Sequence, residues 1–228
     1  MQALILAAGR GERLRPLTDR LPKPLIEVGG VALIDHHLHR LRRAGVRDCV
    51  INTAHLGHLI EAHVGDGTRY GLIVRYSREP LGAFDTGGGV RHAMKLMRPE
   101  RFLTVNADVW TDFDPTWMLV TNPCSLAHLI LVPNPADHRL GDFGLNGTKV
   151  TNERVARYTF SGIALYRPDL FKLAPETERF PLAPLLRDAV EKGLVTGSVY
   201  LGEWRDIGTK ARLSELRGAP TRRLRAKV

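Results

Sequence analysis

The stretch QALILAAGRGERLRPLT, residues 2–18, followed by PKP at residues 22–24, carries the strongest structural signal in the chain. Its first half is a short apolar run that predicts a buried strand, and the glycines that follow end the strand in a turn. Glycine lets the backbone approach a ligand closely, and turned amide groups can bind an anion while Arg13 and Lys23 neutralise it. The stretch therefore predicts a strand followed by a triphosphate-binding loop.

The rest of the chain alternates short apolar or β-branched runs with longer segments of helical period. This alternation predicts an α/β fold with a Rossmann-like, mostly parallel sheet and helices on both faces. A region rich in Gly, Asn, Asp and Pro, residues 133–153, is expected to cover one side of a cleft. The predicted strands are 2–7, 48–53, 72–76, 102–106, 126–132, 157–166 and 199–204, and the predicted helices are 31–44, 59–64, 90–97, 183–191 and 209–216.

Length and composition indicate one enzyme-sized domain, because 228 residues with 43% hydrophobic content can fill one substantial core. We expect this domain to cover residues 1–216. Five basic residues and no acidic residue follow Leu216, so the tail 217–228 carries much of the formal charge of +9. We expect a disordered tail, and no nucleic-acid partner, since neither a nucleic-acid motif nor interleaved aromatic residues accompany the charge.

The cellular setting predicted from the sequence is the cytoplasm. No basic leader precedes the first apolar run, and the longest apolar runs fall far short of the roughly 20 residues that a membrane-spanning helix needs. Cys49 and Cys124 each lie in an apolar run, and we expect two buried thiols in a reducing compartment. The expected partners are small-molecule substrates, with no membrane, and the chain is expected to be a monomer or a small homo-oligomer.

Two aspartates stand where predicted strands end. Asp108 follows the strand 102–106, and Asp206 follows the strand 199–204. Open α/β sheets bind ligands at the carboxyl ends of their strands, so this is a suitable place for a metal. Two such carboxylates could hold one Mg²⁺ whose other ligands are phosphate oxygens and water. For either aspartate alone, a helix cap or a surface salt bridge is the alternative.

A glycine run precedes one predicted helix. Residues 86–89 read Thr-Gly-Gly-Gly directly before the helix 90–97. A tight turn would explain one glycine, but three exceed what a turn needs. We therefore expect a loop that lets a ligand press on the backbone at a helix amino terminus.

A histidine cluster, Asp35 with His36, His37 and His39, resembles a set of metal ligands. Adjacent residues of a helix point in different directions, so only His36 with His39, or Asp35 with His39, share a face. We expect a surface cluster with no metal.

Together the motifs resemble the sugar-phosphate nucleotidyltransferase family. The family signature G-x-G-x-R-x-x-P-L-T followed by P-K-P matches residues 9–18 and 22–24, and the similarity extends to 86–89, 106–108, 141–144, 160–162 and 204–209. The resemblance implies the nucleotide-diphospho-sugar transferase type of fold. It also implies transfer of a nucleotidyl group from a nucleoside triphosphate to a sugar 1-phosphate, with Mg²⁺ as cofactor and pyrophosphate as the second product.

The resemblance also implies roles for individual residues. Arg13 would steady the triphosphate, Lys23 would bridge the α-phosphate and the incoming sugar phosphate, and the Asp108 and Asp206 pair would bind Mg²⁺. The implied nucleotide-binding residues are Ala7, Ala8, Gly9, Gly11, Asp85, Gly87 and Gly88, and the implied sugar-binding residues are Asn106, Gly144, Ser161 and Gly162.

Within the family, residues 105–112, 141–143 and 159–163 are most similar to uridylyltransferases that act on N-acetylmuramate 1-phosphate in peptidoglycan recycling. This chain has Ala107 where those enzymes usually have glycine, and Asp85 where they usually have glutamate. One alternative is a guanylyl-, uridylyl- or thymidylyltransferase acting on mannose or glucose 1-phosphate. Another is a non-catalytic regulatory subunit that binds a nucleotide sugar.

Overall fold

The computed structural model describes residues 1–82, 84–120, 124–153 and 157–218. The strands of these residues are β1 Gln2–Leu6, β2 Glu27–Val28, β3 Val31–Ala32, β4 Asp48–Thr53, β5 Ile73–Arg78, β6 Phe102–Asn106, β7 Val109–Thr111, β8 Ala127–Val132, β9 Phe143–Asn146, β10 Lys149–Thr151, β11 Arg157–Tyr166, β12 Val195–Val199 and β13 Trp204–Asp206. The helices are α1 Leu33–Arg43, α2 Gly57–Val64, α3 Asp85–Ala93, α4 Thr116–Val120, α5 Leu182–Glu191 and α6 Lys210–Gly218.

Nine of the described strands form one sheet in the order β5-β4-β1-β6-β11-β8-β12-β10-β9. The first four strands are parallel to one another, as predicted. The other half of the sheet is mixed, because β11 runs antiparallel to both β6 and β8. Two short sheets lie outside it, one made of β2 and β3 and the other of β7 and β13. The predicted α/β class is confirmed.

Helices cover both faces of the sheet, and the period of two along each strand assigns side chains to the two faces. Ile5 packs in the core that α1 and α2 cover, together with Ile34 and Ile60. Its neighbour Leu4 packs in the opposite core, with Val90 of α3 and Leu186 of α5. The alternation within β1 therefore supplies both cores from one strand.

A third, smaller core lies at one end of the sheet and joins short segments that are distant in sequence. Leu14 from the signature loop and Val28 from the β2–β3 hairpin pack with Trp110 of β7 and Leu213 of α6. Ile207, directly after β13, lies in the same cluster and is fully buried. This cluster, which we call the loop core, fixes the signature loop against the β7–β13 sheet.

The predicted loop at residues 86–89 is wrong, because its glycines lie inside α3, which begins at Asp85. A Cβ atom at Gly87 would collide with the ring of Phe180, and one at Gly88 would collide with the carbonyl oxygen of Glu178. The chain at 178–180 crosses the helix closely, and Gly88 N–H donates to Phe180 O at 3.1 Å. Glycine is needed here for the close approach of two backbones.

The predicted strand 199–204 is also wrong, since the chain makes two strands, β12 and β13, with a turn between them. Asp112 holds this turn, because its carboxylate accepts the Glu203 N–H at 2.8 Å and the hydroxyl of Tyr200. Asp206 is consequently the last residue of β13, which pairs with β7, and it does not end a strand of the main sheet.

Two further side-chain predictions are wrong. His36 and His37 are not on the surface, as each is only 3% exposed. Burial lowers the pKa of His37 to about 3, so this histidine is neutral in the folded protein. Cys49 is buried as expected, but Cys124 is exposed and precedes β8.

The first two residues of the predicted tail belong to α6, which ends at Gly218, and residues 219–228 lie outside the described residues. The region 133–153 contains β9 and β10, and several of its residues line two cavities. No helix in the described ranges combines the length and the apolar character that crossing a membrane requires.

The close crossing of α3 and residues 178–180 predicts a stability effect. Gly88→Ala is expected to lower the free energy of unfolding by about 1–3 kcal/mol, because a backbone carbonyl cannot move aside cheaply. Urea unfolding measures the change. Gly9→Ala is the matched control, since no heavy atom lies within 4 Å of the position that a methyl group would take there. Equal stabilities of the two variants would contradict the packing role of Gly88.

Candidate active site

The carboxyl ends of three parallel strands define the site. Leu6 of β1 pairs in register with Asn52 of β4 and with Asn106 of β6, so these strands end at one level. The residue that follows β1, Ala7, donates its N–H to Asn52 Oδ1 at 2.6 Å. The edge of the sheet thus carries one asparagine on each side of the signature loop. Open α/β sheets bind ligands at this edge.

A cavity of about 460 Å³ opens at this edge and gathers most of the predicted nucleotide-binding residues. Its walls include the backbone of the signature loop, the start of α3 and the ends of β4, β5 and β6. Of the residues predicted from the sequence, Ala7, Ala8, Gly9, Lys23, Asp85, Asn106 and Asp108 line it. We call it the nucleotide cavity.

Three predicted nucleotide-binding glycines do not line this cavity. Gly87 and Gly88 pack against residues 178–180, as described above. Gly11 has a left-handed backbone with φ of 69°, and its carbonyl accepts the Thr18 hydroxyl at 2.8 Å. These contacts indicate that Gly11 shapes the loop from within, because a Cβ there would meet the Thr18 side chain.

Asp85 borders the nucleotide cavity in an unusual backbone conformation. Its φ is 56°, in the left-handed region that non-glycine residues seldom occupy, and its carboxylate accepts the following N–H, that of Thr86, at 2.7 Å. Aspartate tolerates this region better than most residues, because its short polar side chain can bond locally. Left-handed residues of this kind concentrate at ligand sites.

Two residues of the nucleotide cavity were missed by the sequence analysis. Asn52 Nδ2 donates to Glu79 Oε1 at 2.7 Å, and both side chains line the cavity. Burial raises the pKa of Glu79, while the hydrogen bond from Asn52 opposes the rise. The signal was present in the sequence, since Asn52 lies near the carboxyl end of one predicted parallel strand and Glu79 lies shortly after another.

Lys23 and Asp108 form an ion pair on the wall of the nucleotide cavity, with Nζ and Oδ2 2.5 Å apart. Lys23 is 8% exposed and is held by the 3-10 turn at Lys23–Leu25. Leaving a buried ammonium unpaired is costly, so Asp108 stabilises the lysine while no phosphate is present. The same ammonium faces the cavity and can pair with a bound phosphate there.

A second cavity of about 370 Å³ lies on the other side of Asn106 and Asp108, which line both. We call it the acceptor cavity, because three of the predicted sugar-binding residues line it, namely Asn106, Ser161 and Gly162. It gathers Arg13, Asp206, Ser161 and Gly162 from the predicted set, and adds Asp142, His138 and Arg212. Gly144 lies in β9, paired with Thr151 and Arg157, and does not line either cavity.

Arg13, predicted to steady the triphosphate, borders the acceptor cavity and not the nucleotide cavity. Its guanidinium approaches Gly208, and the Asp206 carboxylate approaches the same glycine from its own side. Arg13 therefore lies near the Asp206 carboxylate, in the acceptor cavity. Its role toward a triphosphate stays a prediction.

The backbone holds Asp108 and Asp206 side by side. Asp206 pairs with Val109 in the β7–β13 sheet, and Ile207 N–H donates to Asp108 O at 2.9 Å. Each carboxylate is compensated by a cation, Lys23 for Asp108 and Arg212 for Asp206. The predicted pair is thus brought together, although by a small antiparallel sheet and not by two strands of the main sheet.

The pair of carboxylates fits a divalent cation bound jointly with substrate. Oxygen ligands suit Mg²⁺. Lys23 and Arg212 pair with the two carboxylates, so the site accommodates positive charge. No group of three or more His, Cys, Asp or Glu side chains in the described parts of the chain could hold a metal. A cation at Asp108 and Asp206 would take its other ligands from phosphates and water.

The raised pKa of Glu79 predicts a pH-dependent stability. The stability that comes from its protonated form is present below the ordinary pKa of 4.5 and is lost as the pH rises through the higher folded pKa. Glu79→Gln is therefore expected to gain stability relative to the native chain between pH 4 and pH 7. Urea unfolding at both pH values measures this, with exposed Glu176→Gln as the control. A difference that does not change with pH would contradict it.

Comparison with known proteins agrees with this geometry. The family model for nucleotidyl transferases matches residues 2–219. N-acetylmuramate alpha-1-phosphate uridylyltransferase from Neisseria meningitidis is 45% identical over 223 residues, which are 94% of this chain and 96% of that protein. The protein of the same name from Caulobacter vibrioides is 33% identical over 236 residues, covering 93% of this chain and 97% of its own length.

One similar solved structure is a Bacillus anthracis protein in complex with sucrose, which carries the name glucose-1-phosphate thymidylyltransferase. It superposes on this chain with a TM-score of 0.84. It is 23% identical and covers 95% of this chain and 94% of its own, so it supports the fold. The family match along residues 2–219 and the two relatives aligned nearly end to end show that this chain belongs to the nucleotidyl transferase family and is a nucleotidyltransferase.

Proposed function

We propose that this enzyme transfers a uridylyl group from UTP to N-acetylmuramate 1-phosphate, giving the nucleotide sugar and pyrophosphate. The observation that carries the proposal is the pair of cavities that meet at Asn106 and Asp108. A donor in one and an acceptor in the other would bring an acceptor phosphate to the α-phosphate of the donor. The two relatives that carry this activity in their names support the choice of substrates.

The reaction needs no general base. The attacking group is a phosphate oxygen that is already ionised near neutral pH, since its second pKa is about 6. The protein must hold the acceptor phosphate in line with the α-phosphorus and compensate the charge that accumulates on both phosphate groups. Lys23 lines the nucleotide cavity and pairs with Asp108, which lines both cavities, so its ammonium could do this.

Lys23 would exchange partners when substrates bind. Its ammonium pairs with Asp108 in the free protein and would turn to the α-phosphate and the acceptor phosphate in the complex. Asp108 and Asp206 would then be available to Mg²⁺, which when bound supplies positive charge to the α-phosphate and the departing pyrophosphate. Arg13, beside Asp206, would hold the phosphates at the junction of the cavities.

The setting that we propose for this reaction is the cytoplasm, in the recycling of peptidoglycan sugars. UTP is a cytoplasmic donor, and the unpaired Cys49 and Cys124 suit a reducing compartment.

A second function deserves a test because of Glu79. A carboxylate can accept two hydrogen bonds from the N1–H and amino group of guanine, but only one from the N3–H of uracil. If Glu79, which lines the nucleotide cavity, contacts the base, the second hydrogen bond would favour guanine over uracil. The enzyme would then be a guanylyltransferase that acts on a hexose 1-phosphate.

The substrate assignment is tested by pyrophosphate release in the presence of Mg²⁺. UTP, GTP, CTP, dTTP and ATP are each combined with the 1-phosphates of N-acetylmuramate, N-acetylglucosamine, glucose and mannose. The proposal predicts the highest kcat/KM for UTP with N-acetylmuramate 1-phosphate. A preference for GTP with mannose 1-phosphate would replace it with the second function, and no turnover with any pair would favour a regulatory subunit.

The roles at the junction of the cavities predict large losses of turnover without loss of the fold. Asp108→Asn, Asp206→Asn and Lys23→Met are each expected to lower kcat by about 10²–10³-fold, the usual effect of removing a group that stabilises transition-state charge. Thermal unfolding controls for folding. Mg²⁺-dependent rates near those of the native enzyme in either aspartate variant would contradict the metal assignment.

A further inference from the structure

Arg212 is the cation that compensates Asp206, and it is shared with a second carboxylate. The Arg212 side chain on α6 is 20% exposed and donates to Asp206 Oδ2 from one nitrogen. Its other terminal nitrogen lies 2.5 Å from Asp137, on the loop after β8. The consecutive elements β13 and α6 therefore meet the distant loop after β8 at one guanidinium.

A third cavity, of about 590 Å³, opens beside Arg212 between residues 132–137 and α6. We call it the outer cavity. It shares a wall with the acceptor cavity, and that wall consists of Pro135, Asp137, Trp204, Asp206 and Arg212. A substituent of the acceptor sugar that points away from the nucleotide would reach the outer cavity past Arg212.

The proposed acceptor has such a substituent, and it is anionic. N-acetylmuramate differs from N-acetylglucosamine by an ether-linked lactyl group that ends in a carboxylate. The planar guanidinium of arginine binds a carboxylate through two parallel hydrogen bonds, and it does so better than other cationic side chains. Of the other basic side chains that line the acceptor cavity, Arg13 lies at Gly208 and His138 is hydrogen-bonded to Asp142 at 3.1 Å.

We propose that Arg212 is the residue that selects a carboxylate-bearing acceptor, and that it becomes available when a divalent cation takes over Asp206. This inference rests on the proposed function. In the structure the Asp206 carboxylate accepts from one terminal nitrogen of the guanidinium. A cation on Asp206 would release that nitrogen, while Asp137 keeps the side chain at the shared wall. Metal binding and carboxylate recognition are then coupled through one arginine.

The test compares two products that differ only in the ether-linked lactyl group, UDP-N-acetylmuramate and UDP-N-acetylglucosamine. Their dissociation constants are measured by calorimetry on the full chain with excess Mg²⁺. The native protein is expected to prefer the muramate product by about tenfold to hundredfold, the range of a charge-assisted pair of hydrogen bonds. Using the ratio removes effects that act on both ligands equally.

Arg212→Met is expected to bring the ratio close to one by weakening binding of the muramate product alone. Arg212→Lys keeps the charge without the planar fork and should retain part of the preference, so a poorly folded Met variant does not leave the proposal without a test. Arg75→Met is the matched control, because Arg75 is an exposed arginine of β5 that lines none of the three cavities. An undiminished preference in both Arg212 variants, or equal weakening for both products, would overturn the proposal.

The coupling to the metal has its own readout. When Mg²⁺ is removed with EDTA, the preference of the native protein is expected to shrink, because Asp206 again occupies Arg212. Asp206→Asn removes that competition and should show the preference without any metal. A native preference that does not depend on Mg²⁺ would overturn the coupling.

Turnover of the native enzyme separates the two proposals. If it makes no nucleotide sugar from N-acetylmuramate 1-phosphate, the proposed function fails and this inference fails with it. If the native enzyme makes that nucleotide sugar, and the Arg212 variants keep the native ratio of the two dissociation constants, only the inference fails.

Discussion

Two carboxylates placed side by side repel each other, and the cleft is arranged around the compensation of that charge. Asp108 pairs with Lys23 and Asp206 pairs with Arg212, so each aspartate is held by a cation from a different part of the chain. Lys23 lines the nucleotide cavity and Arg212 lines the acceptor cavity, so the two cations reach the aspartates from different cavities. Binding of phosphates or of a divalent cation would redistribute these charges without creating an unpaired buried one.

The rigidity of this arrangement comes from the loop core. The signature loop, the β2–β3 hairpin, β7 and α6 have few regular hydrogen bonds to the main sheet, and a cluster of side chains holds them together. Leu14 lies one residue after Arg13, Trp110 lies two after Asp108, and Ile207 follows Asp206 directly. Each charged residue of the site thus has a buried apolar neighbour in sequence that fixes its backbone. The mixed chemistry of these segments, charged toward the cleft and apolar beneath it, explains how short irregular segments support a precise site.

The sequence predicted those parts of the fold that depend on local pattern. The strands 48–53, 102–106 and 157–166 were predicted with the bounds that the structure has, because apolar or β-branched runs with clear ends identify buried strands. The α3 glycines misled the prediction, since the reason for them lies in residues 178–180, about 90 positions away. Asp137 and Arg212 were missed for the same reason: only the folded chain shows that the loop after β8 and α6 meet at Asp206. Asn52 and Glu79 could have been found, because both lie near the carboxyl ends of parallel strands, as Asp108 does.

The crossing of α3 by residues 178–180 links the nucleotide end of the sheet to a late part of the chain. Helix α3 supplies Asp85 and Thr86 to the nucleotide cavity, but its residues Gly87 and Gly88 are covered by Phe180 and Glu178. During synthesis from the amino terminus, the first six strands can leave the ribosome while these two glycines are still open to water. Contacts of such long range form late and at a cost in loop entropy. The nucleotide cavity therefore reaches its final form only after residues 178–180 have been made, and a nascent chain stalled before that point would expose Gly87 and Gly88.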